Sequence, residues 1–293
     1  MSKKALLVII FSLVLTNCVT IAFLVSAYTR EAQKEKNDEI VAKIGDSRIT
    51  RQEWLSELEK RFGKTTLEEM INIQVVDELA KKNHIDVDEK TVEREIQMYK
   101  ISSQSYGDSV FNDKELRKQI RYSILLEELL TKDVNISENE LKKFYEENKH
   151  QYIMNDTYHL SHIVVDSKKE VQQIINELKG GSSFEGIAAE RSKDQLTAKE
   201  GGDLGYVSEG SSDVPPEYIE QAKTMKVNEW SDPIPLERGY AIIFLHEKIK
   251  GEQLEFDEVK DQIRRQIALE QMEGNVSAKQ LWDDIGVTWF YEK

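Results

Sequence analysis

The sequence predicts an α+β protein in which a small antiparallel sheet with packed helices is inserted into a mostly helical domain. Apolar residues recur at helical spacing over most of residues 50–150 and again after residue 251. Between residues 157 and 250 the pattern changes to short strand-like runs that alternate with short helical runs. Seven of the 14 glycines lie between Gly180 and Gly210, and all four prolines lie between residues 215 and 235. Glycine and proline mark turns, so this region holds most of the tight loops.

The amino end predicts a membrane anchor in residues 1–29. Residues 5–28 carry no charge and as a helix would span about 36 Å, enough for a hydrocarbon layer of ~30 Å. Lys3 and Lys4 precede this run, so the positive-inside rule places the amino end in the cytoplasm. We therefore expect a single-pass protein of the cell membrane with residues 30–293 outside the cytoplasm.

Two alternatives to a retained anchor stay open. Val25-Ser26-Ala27 is compatible with cleavage of a signal peptide, although the apolar run is longer than a usual signal core. Cys18 follows Leu15-Thr16-Asn17, a sequence similar to a lipoprotein attachment site, although the apolar run continues after it. All three interpretations predict export. Cys18 is also the sole cysteine, so no intramolecular disulfide is expected.

The charge of the chain limits the classes of partner that it is expected to bind. The formal net charge is −14 and the pI is near 5.0. Nucleic-acid binding needs a basic surface, which this composition does not offer. An acidic surface instead favours basic or unfolded polypeptides as partners.

The helical part is predicted to be split by the mixed domain. Residues 30–156 form an N-terminal helical segment that opens with a hairpin at 41–50, and residues 251–293 form a C-terminal helix and a strand that complete the same domain. We expect this strand, at 287–292, to pair with the hairpin. The helices of the N-terminal segment are predicted over 66–82, 89–104, 113–131 and 138–149.

The mixed domain, residues 157–250, has the predicted order β-α-α-β-α-β-β. Strands are expected at 158–165 and 205–210, and two more within 232–248 on either side of the Arg238-Gly239 turn. The helices are expected at 171–181, 184–192 and 216–225. Pro216 suits the first turn of the last of these helices, because its missing N–H has no partner there in any helix.

Five linked motifs in this domain resemble the parvulin-type peptidyl-prolyl cis-trans isomerases. The match runs from about residue 158 to 249, in the order and spacing of that family, and the flanks resemble the PrsA-type foldases and SurA-type chaperones. The motifs are Ser161-His162-Ile163-Val164, Phe184 with Ala188 and Ala189, Ser192 with Asp194, Gly201-Gly202-Asp203-Leu204-Gly205, and Val214-Pro215-Pro216-Glu217-Tyr218 with Gly239-Tyr240-Ala241-Ile242-Ile243.

The resemblance implies a catalytic groove without metal or cofactor. His162 and Asp194 match its catalytic positions, and Thr197 would join their hydrogen-bond network. Leu204, Val214 and Tyr218 match the apolar pocket for the substrate proline. Ala241 stands where the family has a second histidine, so His162 is expected to be held in a different way and the activity to be reduced. His246 is predicted on the opposite face of its strand from Ala241.

The function implied by the resemblance is peptidyl-prolyl isomerisation (EC 5.2.1.8) that assists the folding of exported proteins. Its substrates would be unfolded or partly folded polypeptides with X-Pro bonds, and pairing of two chains as a homodimer is also open. The alternative is a weakly active or inactive holdase that binds unfolded chains, which the Ala241 substitution favours. A third interpretation is a membrane protein whose central domain only docks a partner.

Overall fold

A computed structural model describes residues 39–102, 112–272 and 276–292, together with Ile21. The described helices are α1 (Arg51–Lys82), α2 (Glu89–Ser102), α3 (Asp113–Thr131), α4 (Glu138–Glu147), α5 (Lys168–Lys179), α6 (Phe184–Arg191), α7 (Pro216–Thr224), α8 (Phe256–Gln271) and α9 (Trp282–Ile285). The described strands are β1 (Ile40–Ile44), β2 (Ser47–Thr50), β3 (Ile153–Met154), β4 (Thr157–Val165), β5 (Asp203–Ser208), β6 (Glu229–Trp230), β7 (Ile234–Pro235), β8 (Tyr240–Ile249) and β9 (Glu252–Gln253). The chain divides into two compact bodies, one of residues 1–73 and 287–293 and the other of residues 74–286.

The first body contains the hairpin expected at residues 41–50. Strands β1 and β2 pair antiparallel around Gly45, whose φ of +59° lies in the left-handed region that glycine adopts at low cost. Helix α1 begins directly after β2 with a capping box: the Thr50 hydroxyl accepts from the Glu53 N–H, and the Glu53 carboxylate accepts from the Thr50 N–H at 2.8 Å.

The strand expected at residues 287–292 is not formed, and among the residues that the structure describes β1 and β2 pair only with each other. Gly286 ends α9 in a left-handed conformation, with φ of +69°. The chain then folds back on itself, because the Glu292 N–H donates to the Trp289 carbonyl and the Glu292 carboxylate accepts from the Trp289 N–H. These local bonds occupy the backbone groups that a strand would offer to a neighbour.

The expected membrane anchor lies outside the described residues apart from Ile21. Within residues 39–102, 112–272 and 276–292, no helix combines the length and the apolar composition needed to cross a bilayer.

Helices that precede the central sheet in the chain pack against a helix that follows it, within the second body. Helices α4 and α8 share an apolar core in which Leu141 and Tyr145 meet Val259 and Ile263. The Tyr145 hydroxyl donates to the Leu254 carbonyl at 2.9 Å, which ties α4 to the chain entering α8. Helices α3 and α8 are joined by ion pairs, including Arg265 to Glu128 at 2.9 Å.

The central sheet has the strand order β5-β4-β8-β6, with β7 also paired to β8, and every pairing is antiparallel. Side chains alternate between its two faces. One face carries Leu160, Ile243 and Leu245 with helix α7, and the other carries Ile163 and Ile242 with helices α5 and α6. The α+β class predicted from the sequence is therefore confirmed, with the sheet covered by helices on both faces.

Candidate active site

The candidate site is built around His162 in the middle of β4, opposite Ile243 of β8. The residue is only 8% exposed. Its backbone N–H donates to the Gly202 carbonyl at 2.8 Å, which fixes the strand to the glycine loop. A Cβ on Gly202 would lie 2.1 Å from the His162 carbonyl oxygen, so only glycine allows this approach.

Both ring nitrogens of His162 have hydrogen-bond partners. On one side, Nε2 lies 2.8 Å from Asp194 Oδ2 and 3.1 Å from Thr197 Oγ1. On the other side, Nδ1 lies 3.0 Å from the Tyr218 hydroxyl. The Thr197 hydroxyl donates to the same Asp194 oxygen at 2.8 Å. The side chains of these four residues thus form one continuous network.

The loop after α6 holds Asp194 in place. The Lys193 N–H donates to the Val164 carbonyl at 2.8 Å, and the Ser192 hydroxyl accepts from the Val164 N–H. These two bonds attach the loop to the backbone of β4, two residues beyond His162. The second carboxylate oxygen of Asp194 accepts from the Leu196 N–H at 3.1 Å. The carboxylate is therefore anchored from its own loop as well as from β4.

The electrostatics favour a neutral imidazole beside an ionised carboxylate. Burial lowers the pKa of His162, and the hydrogen bond that the ring donates to the Asp194 carboxylate offsets this only in part. Burial on its own would raise the pKa of Asp194, but the hydrogen bonds from Thr197 and His162 outweigh it and hold that pKa below its usual value. Near neutral pH, Nε2 therefore carries the ring proton and directs it at the carboxylate.

The three residues predicted for the proline pocket lie in one apolar cluster. Leu204 on β5, Val214 before α7 and Tyr218 on α7 pack together, with Ala241 in the same cluster. Val214 and Tyr218 are 7% and 1% exposed, so the accessible apolar surface comes from Leu204. All six predicted site residues are thus brought to one face of the sheet and its adjoining loop.

A second polar cluster, not predicted as such, lies on the opposite face of the sheet. Ser161 Oγ is 2.8 Å from His246 Nε2, and His159 Nε2 is 2.9 Å from Asp203 Oδ1. The two imidazoles have ring centroids 4.6 Å apart, and Tyr206 stacks on the other side of His159. The strand alternation correctly separates His246 from Ala241. The pairing with Ser161 was missed because it joins residues 85 positions apart.

The chain is similar in sequence to known proteins. A family model described as the PPIC-type PPIASE domain matches residues 136–261. Over 293 residues the chain is 46% identical to YacD of Bacillus subtilis (strain 168), whose name places it among the peptidyl-prolyl cis-trans isomerases; the match covers 99% of this chain and 98% of that protein. It is 30% identical to the foldase protein PrsA of Oceanobacillus iheyensis, covering 81% of this chain and 78% of the relative.

A solved structure of a peptidylprolyl isomerase, PrsA from Bacillus anthracis, is 28% identical and covers 77% of this chain and 99% of its own, with a TM-score of 0.32. On the sequence matches, the chain belongs to the family of PPIC-type peptidyl-prolyl cis-trans isomerases that includes the PrsA foldases, which assist protein folding.

Proposed function

We propose that the site around His162 catalyses prolyl isomerisation. The observation that carries this proposal is the network in which His162 and Thr197 hold the Asp194 carboxylate beside the apolar cluster. The uncatalysed barrier is ~18–20 kcal/mol, because rotation about the amide removes its resonance. A thousandfold acceleration requires only about 4 kcal/mol.

Each residue has a physical role in this proposal. Amide resonance places partial negative charge on the carbonyl oxygen, so a carboxylate facing that oxygen disfavours the planar ground state. Asp194 supplies this charge. Leu204 supplies the accessible apolar surface for the proline ring, and the buried Val214 and Tyr218 pack in the same cluster and support it. The partly desolvated surroundings strengthen the electrostatic effect. No bond is broken, so no nucleophile or metal is needed.

The proposed place of action is the outer side of the cell membrane. The uncharged run at residues 5–28 would anchor the chain, and Lys3 and Lys4 would keep its amino end in the cytoplasm. The substrates would then be exported polypeptides that are still unfolded and contain X-Pro bonds. Two chains acting together as a homodimer would be compatible with this role.

The test is the cis-trans exchange rate of an Ala-Pro peptide, followed by NMR with the purified full-length chain in mild detergent. We expect the wild-type chain to accelerate exchange and His162→Ala to lower kcat/KM at least tenfold. His150→Ala is the matched control, since His150 is exposed and lies outside the network. Equal rates for the His162 and His150 variants would refute the site assignment.

A holdase function is the second candidate, and one observation favours it. The first body exposes large apolar side chains, among them Ile44 at 64%, Phe62 at 57% and Phe290 at 76%. Exposed apolar patches mark interaction sites, and in this candidate function the partner would be an unfolded chain. This candidate predicts that the chain suppresses aggregation of an unfolded protein equally well with and without His162, and that replacing Phe62 by Ser weakens the suppression.

A further inference from the structure

The Tyr218 hydroxyl contacts the one ring nitrogen of His162 that Asp194 does not use. The oxygen lies 3.0 Å from Nδ1, and the two rings meet edge to face with centroids 5.8 Å apart. Both side chains are buried, Tyr218 almost completely. Within the described residues, neither the hydroxyl nor Nδ1 has another hydrogen-bond partner. Each group would therefore be left unsatisfied without the other.

The direction of this hydrogen bond follows from the opposite side of the ring. The ionised Asp194 carboxylate can only accept, so the proton of the neutral imidazole must lie on Nε2. Nδ1 is then an acceptor, and the Tyr218 hydroxyl donates to it. Burial raises the pKa of Tyr218, which keeps the hydroxyl protonated and able to donate.

We propose that Tyr218 is a positioning residue whose hydroxyl locks His162 in the Nε2–H tautomer, so that the ring holds Asp194 toward the substrate amide. This inference rests on the proposed site and extends it. Tyr218, predicted as a pocket wall, has a second role through its hydroxyl. The Asp194 carboxylate favours this tautomer because it can only accept, and the Tyr218 hydroxyl stabilises it further by donating to the bare Nδ1.

The local structure explains how Tyr218 reaches the ring. Helix α7 starts with Pro216 at its first position, and the Tyr218 N–H donates to the Pro215 carbonyl at 2.9 Å. The two prolines restrict the backbone at this helix start and so fix the direction of the tyrosine. On the neighbouring strand β8, Ala241 is fully buried and offers only a methyl group. The hydrogen bond to Nδ1 therefore comes from the helix and not from the sheet.

Tyr218→Phe in the full-length chain removes the hydroxyl and keeps the apolar ring. We expect kcat/KM for the Ala-Pro peptide to fall about tenfold with little change in KM. A tenfold fall corresponds to the loss of one buried hydrogen bond. ¹⁵N NMR of the His162 side chain should change from a pure Nε2–H tautomer in the wild type to a mixture of tautomers in the variant. Tyr158→Phe is the matched control, since Tyr158 is equally buried in the same cluster and lies four residues before His162 on β4.

The proposal is overturned if Tyr218→Phe and Tyr158→Phe have the same rate and leave the tautomer unchanged. It is also overturned if the wild-type ring carries its proton on Nδ1, a result that does not depend on the variant being folded or active. If His162→Ala leaves the rate unchanged, the assignment of the active site fails. The tautomer measurement then still decides whether Tyr218 holds the ring.

Discussion

Gly202 and His162 make a backbone contact so close that no other residue type fits at position 202. Gly202 has φ of +79°, and its carbonyl accepts from the His162 N–H while its own N–H donates to the Thr197 carbonyl. One glycine thus connects the strand that carries the histidine to the loop that carries Thr197 and Asp194. Gly202 therefore contributes to the geometry of the network through its backbone.

Gly202→Ala is therefore expected to destabilise the fold. The added Cβ would lie 2.1 Å from the His162 carbonyl oxygen, and the positive φ is unfavourable for alanine. We expect the free energy of unfolding to fall by more than about 2 kcal/mol, measured by urea denaturation. Gly210→Ala is the control, because Gly210 has a similar φ of +85° but no atom within 4 Å of an added Cβ. The free energy of unfolding of Gly210→Ala should fall by only about 1 kcal/mol. Equal decreases for the two variants would contradict the steric argument.

Asp194→Asn tests whether the charge at the site matters. The amide can still accept from His162 Nε2, so the geometry is largely kept while the negative charge is removed. We expect kcat/KM for the proline peptide to fall by about ten- to a hundredfold, corresponding to ~1.4–2.7 kcal/mol. Asp213→Asn, at an exposed position, should have no effect. An unchanged rate in Asp194→Asn would show that the carboxylate acts only as a structural acceptor.

Ala241→His is expected to reduce stability without raising the rate. Ala241 is fully buried in the apolar cluster and pairs with Val164. An imidazole there overfills the core, which costs about 1–3 kcal/mol of folding free energy. No gain in rate is expected, because Tyr218 already occupies Nδ1 of His162. A thermal melt and the peptide exchange assay together check this, and a faster variant would mean that the tyrosine is a poor substitute for a second histidine.

The stability of the fold should decrease as the pH falls below about 6.5, the ordinary histidine value. Burial lowers the pKa of both His162 and His246 in the folded chain. As the pH falls, the histidines of the unfolded chain therefore take up protons before those of the folded chain. The folded state keeps its full stability above the histidine pKa of the unfolded chain. It loses this stability as the pH falls from that value through the lower pKa of the folded chain. The slope is at most about 1.4 kcal/mol per pH unit for each histidine.

His246→Gln isolates one of the two histidines in this pH dependence. The amide can still hydrogen-bond to Ser161 but does not titrate. Urea midpoints measured between pH 7.5 and 5 should fall less steeply for this variant than for the wild type. A parallel decline in both chains would assign the effect to other groups.

Much of this architecture could be predicted because it depends on local signals. The alternation of apolar residues in β4, the caps of the helices and the concentration of glycine before β5 are all readable along the chain. The partner of His162 Nδ1 was not predicted, because Tyr218 lies 56 residues away and only the packing of α7 on the sheet brings it there. The final strand was predicted wrongly because its apolar alternation did not reveal the Trp289–Glu292 turn.

The hydrogen bonds of the second polar cluster also depend on tertiary packing and were not predicted. Asp203 lies within the glycine loop, and its carboxylate accepts from the Gly205 N–H at 2.8 Å. Its bond to His159 requires the register between β4 and β5, including the irregularity between Leu160 and Ser161. Strand irregularities of this kind depend on tertiary packing and have no clear sequence signal here.

The central claim is that His162 and Asp194 act as one unit in prolyl isomerisation. The most direct test is a double-mutant cycle on the cis-trans exchange rate of the proline peptide, with His162→Ala, Asp194→Ala and the double variant in the full-length chain. We predict that the wild type accelerates exchange and that the double variant is no slower than the slower single variant. An inactive wild type, or losses that multiply in the double variant, would contradict the claim.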